Sequence, residues 1–140
     1  MVTIVDFLKN NNNTYEMTCL NGVDIAFTLN ETEIIVQCGD KKWFVVVAGN
    51  DIHYDIQDVL YAYGTEIRFC EECGQPYDAG FMAGDGDWYC CQYCFKGAMD
   101  QTYGKDNWHA TDMEGAYGGF YEYFNGNEWE DTGIFYTEWN

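Results

Sequence analysis

Cys70-Glu71-Glu72-Cys73-Gly74 is followed, after a short segment rich in glycine and aromatic residues, by Trp88-Tyr89-Cys90-Cys91-Gln92-Tyr93-Cys94-Phe95. Two close cysteine pairs at this separation supply four thiolates, the donor set of a tetrahedral structural Zn²⁺. In a Cys-x-x-Cys-Gly turn the backbone N–H groups point at the sulfurs, and glycine admits the positive φ that the turn wants. So short a segment has little apolar core of its own, so the metal is expected to hold it together. The second half can be read in two ways. Cys91 and Cys94 form a pair with two intervening residues, and Cys90 and Cys94 a pair with three. Both spacings suit a site in which one ligand ends a strand and the next lies in the first turn of a helix.

Working outward, Tyr77–Tyr89 reads as a hairpin with Gly84-Asp85-Gly86-Asp87 at its tip. After Cys94, the residues Phe95, Ala98, Met99 and Thr102 follow helical spacing, and Gly104 can end that helix. Knuckle, hairpin and a helix carrying the last ligand make up a treble-clef arrangement. There the third ligand often directly follows a hairpin aromatic, here Tyr89, which favours Cys90.

The run Cys70-Glu-Glu-Cys73-Gly74-Gln-Pro-Tyr77-Asp-Ala-Gly80-Phe81, then Trp88-Tyr89-Cys90, then Cys94-Phe95, resembles a pattern in small, mostly uncharacterised proteins of phages and mobile elements. Their motif is C-x-x-C-G-x-x-x-x-x-G-Y followed by Y-Y-C-S-x-x-C-L. Many end in an acidic aromatic tail similar to Tyr136-Thr137-Glu138-Trp139. The resemblance implies Cys70, Cys73, Cys90 and Cys94 as metal ligands, with Cys91 at the family's serine position. It covers residues 70–95 well, says little about residues 1–68, and implies an origin rather than an activity.

The N-terminal half reads differently. Ile25, Phe27 and Leu29 alternate, Asn30-Glu31-Thr32 turns, Ile34, Val36 and Cys38 alternate, Gly39-Asp40 turns, and Trp43, Val45 and Val47 follow. Short connections make these three strands an antiparallel meander. A further strand is expected at Thr3–Leu8, and Asn10–Asn13 is a loop. A short helix fits residues 56–63, with Asp55 as cap and Gly64 as stop; Ile56, Val59, Leu60 and Tyr63 form one apolar face. In the tail, Tyr121–Phe124 and Ile134–Trp139 read as strands flanking the Asn125-Gly126 turn. The expected architecture is α+β. Residues 1–68 form an antiparallel β-meander plus helix, and residues 69–140 a treble-clef zinc module with an acidic aromatic tail.

Charge excludes several functions. The formal net charge is −18. Residues 1–68 hold ten acidic and four basic side chains, and residues 69–140 fourteen and two. A Zn²⁺ bound by four thiolates adds about two further negative charges. Direct nucleic-acid binding needs lysine and arginine against phosphates, and anionic membranes repel such a surface. The expected partner is a protein with a basic surface. No signal-peptide pattern opens the chain and no stretch is apolar enough to span a membrane, so a reducing cytoplasm, that of a host cell, is expected.

Other chemistry is weakly signalled. His53 stands alone before the helix and His109 follows Trp108 with no second histidine near it. Asp85 and Asp87 resemble a fragment of a Ca²⁺ loop that lacks its downstream glutamate. Paired carboxylates such as Glu71-Glu72 read as solvated faces, and Cys19 and Cys38 as small buried hydrophobes. Four cysteines close the zinc shell, so a catalytic zinc with an open position is not expected. Acids interleaved with aromatics at Glu128, Trp129, Glu130, Asp131, Glu138 and Trp139 suit a partner-binding surface. The expected function is that of a non-enzymatic binding protein. In a sharper form it inhibits a nucleic-acid-binding defence enzyme by imitating DNA phosphates. The competing classes are a small cysteine-based redox protein or enzyme, and a structural or virion component.

Overall fold

The computed structural model describes residues 2–49, 51–83, 87–110 and 121–140. Two compact units emerge, Met1–Asp78 with Trp139–Asn140, and Ala79–Glu138. The first unit therefore runs past the expected junction at 68/69 and takes in the Cys70–Cys73 knuckle.

In the first unit, strands β1 (Thr14–Thr18), β2 (Asp24–Leu29), β3 (Glu33–Cys38) and β4 (Lys41–Val46) form one antiparallel sheet in sequential order. The alternation that predicts the meander sets the register. Phe27 lies opposite Val36 and Ile34 opposite Val45. All four are buried, together with Ile25 and Cys38. Each such apolar side chain contributes about 1.5–3 kcal/mol by leaving water. Strand β1 is not anticipated from sequence. It alternates only Tyr15 and Met17 with polar residues, as an edge strand with one solvated face does.

Two helices complete this core. The strand expected at Thr3–Leu8 is instead helix α1 (Ile4–Lys9). Its β-branched residues suggest a strand, but a capping box decides the matter. Thr3 Oγ1 accepts from the Asp6 amide, and Asp6 Oδ2 accepts from the Thr3 amide at 3.2 Å. Ile4 and Leu8, one turn apart, are both fully buried. Helix α2 (Ile52–Tyr63) starts one turn earlier than expected, with Asp51 rather than Asp55 at its N-cap, and stops at Gly64 in the left-handed region. Ile52, Ile56 and Leu60 line its buried face.

The earlier start places His53 inside α2. Its Nε2 accepts a hydrogen bond from the Ile4 amide at 3.0 Å, and its ring stacks on Phe69 at 4.2 Å. One of the unsatisfied N–H groups at the start of α1 is thereby paired. Asp78 is a second polar anchor in this unit. Its Oδ2 accepts from the Leu20 amide at 2.6 Å and from Asn140 Nδ2 at 2.9 Å. The Trp139 amide donates to the Asp78 carbonyl, and Asn140 exchanges hydrogen bonds with the Glu66 backbone.

The second unit holds β7 (Ala79–Met82), β8 (Trp88–Tyr89), helix α3 (Gln92–Tyr103), β9 (Trp108–Ala110), β10 (Tyr121–Phe124), β11 (Trp129–Asp131) and β12 (Phe135–Glu138). The strands form two three-stranded sheets, ordered β11-β10-β9 and β12-β7-β8. Asn125-Gly126 does turn a hairpin, but the partner of β10 is β11, and the predicted 134–139 strand pairs with β7 instead. The core is aromatic. Phe95 packs edge-on against Phe81 and Tyr121 at 4.9 Å each, and Phe81 also meets Tyr136. The tail aromatics thus supply much of this unit's interior. Residues 84–86 of the expected hairpin tip lie outside the described residues.

Burial depresses the His53 pKa below its ordinary 6.5. The unfolded chain then binds the extra proton more readily, so the neutral ring's contribution is complete above the unfolded pKa and is lost as pH falls below it. Asp6, whose pKa is lowered chiefly by its hydrogen bond from the Thr3 backbone, loses its contribution only at more acid pH. Urea unfolding at about pH 7.5 and about pH 5.5, on either side of the imidazole range, should show the wild type losing stability on acidification and His53→Gln losing less. Equal losses in the two proteins would remove the histidine from this account.

Candidate metal centre

The knuckle is built by strands β5 (Arg68–Phe69) and β6 (Pro76–Tyr77), which pair Phe69 with Pro76 and Arg68 with Tyr77. Between them the chain turns tightly. The Cys70 amide donates to the Gln75 carbonyl at 3.0 Å, and the Gly74 amide to the Cys70 carbonyl at 2.9 Å. Gly74 sits at φ +78°. A Cβ there would meet the Thr3 carbonyl oxygen at 2.3 Å and the Phe7 Cβ at 3.2 Å. Glycine is thus required twice, for its dihedral and for the close approach of α1's N-terminal end. The Val2 amide also donates to the Glu71 carbonyl, and Gln75 Nε2 to Tyr15 Oη at 3.0 Å. The knuckle is held by backbone that the motif itself does not contain.

The other thiols follow β8. Cys90 comes directly after Tyr89, Cys91 is the N-cap of α3 in extended conformation, and Cys94 lies in the helix's first turn. Cys90 Sγ is 3.6 Å from Cys94 Sγ, and Cys91 Sγ is 3.9 Å from it. The sulfurs of Cys70, Cys73, Cys90 and Cys94 all lie within 4.8 Å of one another. A zinc–sulfur bond of about 2.3 Å in a tetrahedron sets sulfurs about 3.8 Å apart, so these four can close around a metal ion with small adjustments. Cys91 neighbours the group without belonging to it. Cys70 is buried and the other three ligand candidates are half-buried. A metal ion held by all four thiolates would have a closed tetrahedral shell.

The remaining cysteines behave as expected from sequence. Cys19 and Cys38 are buried, and burial pushes both thiols above their ordinary pKa. Of the two residues resembling a Ca²⁺-loop fragment, Asp85 lies outside the described residues.

The tail residues singled out for binding separate into two places. Glu128, Trp129, Glu130 and Asp131 lie on and beside β11, whose residues are all exposed. Trp129 lies against His109 in a tilted arrangement, ring centroids 4.0 Å apart, and beside Phe124 at 5.4 Å, while His109 Nε2 lies 3.2 Å from Glu122. Glu130 accepts a 2.7 Å hydrogen bond from Tyr123, which raises the phenol's pKa. Glu138 is exposed at the end of β12. Trp139 is half-buried in the first unit, against Tyr77 and beneath the Arg68 guanidinium at 5.2 Å. Sequence reading missed Gly74's contact with Thr3 and the anchoring by Asp78, because each depends on a partner remote in the chain.

Among the described residues, no helix is long and apolar enough to cross a membrane. Comparison with protein-family models, with curated proteins and with solved structures gave no match.

Two outcomes are expected. Gly74→Ala should destabilise the fold by about 3 kcal/mol in denaturant unfolding, because the added methyl meets backbone rather than a movable side chain. Metal analysis of reduced protein should find about one zinc per chain, lost in Cys70→Ser, Cys73→Ser, Cys90→Ser and Cys94→Ser and kept in Cys91→Ser. Loss in Cys91→Ser with retention in Cys90→Ser would exchange their roles.

Proposed function

We propose that this chain is a non-enzymatic, zinc-stapled binding protein that engages a basic protein surface through its acidic β10–β11 hairpin. Zinc is held by Cys70, Cys73, Cys90 and Cys94 in a treble-clef-like module and serves as a staple, since a closed thiolate shell offers no site for catalysis. The observation that carries the binding reading is the hairpin itself. Strand β11 is wholly exposed and sets Trp129 among Glu128, Glu130 and Asp131, with His109 and Phe124 supporting the indole. An aromatic anchor within a charged rim is the usual anatomy of a binding hot spot.

The net charge of −18 sets the kind of partner. A field of that sign steers basic proteins and repels phosphate backbones. The sharper form of the proposal makes the partner a nucleic-acid-binding defence enzyme of a host cell, engaged in its cytoplasm by carboxylates standing in for phosphates. This form rests on charge and on the motif's resemblance to phage and mobile-element proteins.

The test replaces Glu128, Glu130, Asp131 and Glu138 by their amides in one variant. Proteins captured from host lysate by the wild type at low salt should be lost by the variant, while its zinc content and circular dichroism stay unchanged. With a captured partner in hand, the loss should fall mainly on the association rate and fade at high salt, since exposed charges are screened beyond roughly 8 Å at physiological ionic strength. Unchanged capture by the four-amide variant across salt concentrations would reduce the charge to a solubility device.

A further inference from the structure

We infer that Cys91 and Cys94 form a peroxide-sensitive modification site whose disulfide expels the metal. This inference rests on the zinc reading of the neighbouring thiols. Four sulfurs satisfy a tetrahedral ion, yet five cysteines line the motif, and the fifth is not remote. Cys91 Sγ stands 3.9 Å from Cys94 Sγ, about as near as Cys90 Sγ at 3.6 Å. Cys91 is the N-cap residue of α3, makes no side-chain capping hydrogen bond, and is partly exposed. Cys91 and Cys94 therefore form a Cys-x-x-Cys pair on the first turn of a helix, with both sulfurs within a short rotation of bonding. The thiolate is the form of a cysteine that attacks peroxide.

The oxidant is hydrogen peroxide or an organic hydroperoxide. The Cys91 thiolate attacks the peroxide, takes one oxygen as sulfenic acid, and releases water or an alcohol. The Cys94 thiolate then attacks the Cys91 sulfur, forming the S–S bond and expelling hydroxide, which takes up a proton. For hydrogen peroxide, one thiol, one thiolate, one peroxide and one proton give one disulfide and two waters. Two sulfurs are oxidised by one electron each, and two oxygens are reduced by one each. Only Cys70, Cys73 and Cys90 would then remain to hold a metal ion, which would be lost to competing chelators. A reducing thiol restores the four-sulfur shell. Serine in place of Cys91 would keep the ligand set but abolish the switch, so this residue alone separates a responsive site from an inert one.

The experiment uses the full chain, purified reduced, with zinc release followed by a colorimetric chelator after addition of hydrogen peroxide. Zinc content before peroxide reports on the metal reading alone; its absence in the wild type would sink that reading, and zinc release with it. With zinc present, wild type should release it about tenfold faster than Cys91→Ser and Cys91→Ala, as expected when an attacking thiolate is removed. Chymotryptic peptides 90–93 and 94–95 should become disulfide-linked in the wild type and remain unlinked in both variants. Equal release rates, a link that persists without Cys91, or loss of zinc from the reduced Cys91 variants would overturn the inference.

Discussion

Four sulfurs drawn within 4.8 Å of one another impose the electrostatic constraint on which the rest of the structure turns. As thiolates they repel strongly unless a cation sits among them, and in a chain already carrying a charge of −18 no surplus of lysine or arginine can take that part. The described basic side chains nearest in sequence are Arg68 and Lys96. Arg68 is committed to Glu66 at 2.9 Å and to the face of Trp139. A metal ion held among them would neutralise that charge where it forms, since a coordinated thiol is deprotonated outright.

The knuckle shows how such a site is supported from outside its motif. Its Cys-x-x-Cys-Gly turn is local, but the glycine is fixed by the Thr3 carbonyl, and Glu71 accepts from the Val2 amide. The end of α1 that touches the knuckle is itself ordered by the Thr3–Asp6 capping box and by His53. A chain of short-range devices, each worth about a kilocalorie per mole, therefore sets the position of Cys70 and Cys73.

Much of this was legible in the residues, for reasons that can be stated. Alternation at Ile25–Phe27 and Ile34–Val36–Cys38 has one explanation, a half-buried strand, and the meander follows. The cysteine spacing was equally direct. Thr3–Leu8 misled because Val and Ile favour strands by propensity, while Thr3 and Asp6 settle the outcome through two hydrogen bonds. Strand β1 and strand β11 escaped because neither buries an alternating apolar set; β11 has no buried residue at all. The Asn125-Gly126 signal located the turn correctly, but turn chemistry fixes where a hairpin bends and not which later strand closes it. Between Cys90 and Cys91 the sequence alone left two readings. Three-dimensional proximity groups Cys90 with the other three sulfurs and leaves Cys91 beside Cys94.

The hydrogen bond from the Trp139 amide to the Asp78 carbonyl has a topological meaning. Residues separated by the whole of 79–138 are neighbours in the first unit, so the chain leaves that unit and returns to it at a single point. In architectural terms the second unit is an insertion into the first. Closing so long an excursion costs conformational entropy that grows only with the logarithm of its length. Asn140, through its bonds to Glu66 and Asp78, acts as the clasp that offsets this cost. The host's backbone ends therefore already meet at Asp78 and Trp139, without help from the residues inserted between them.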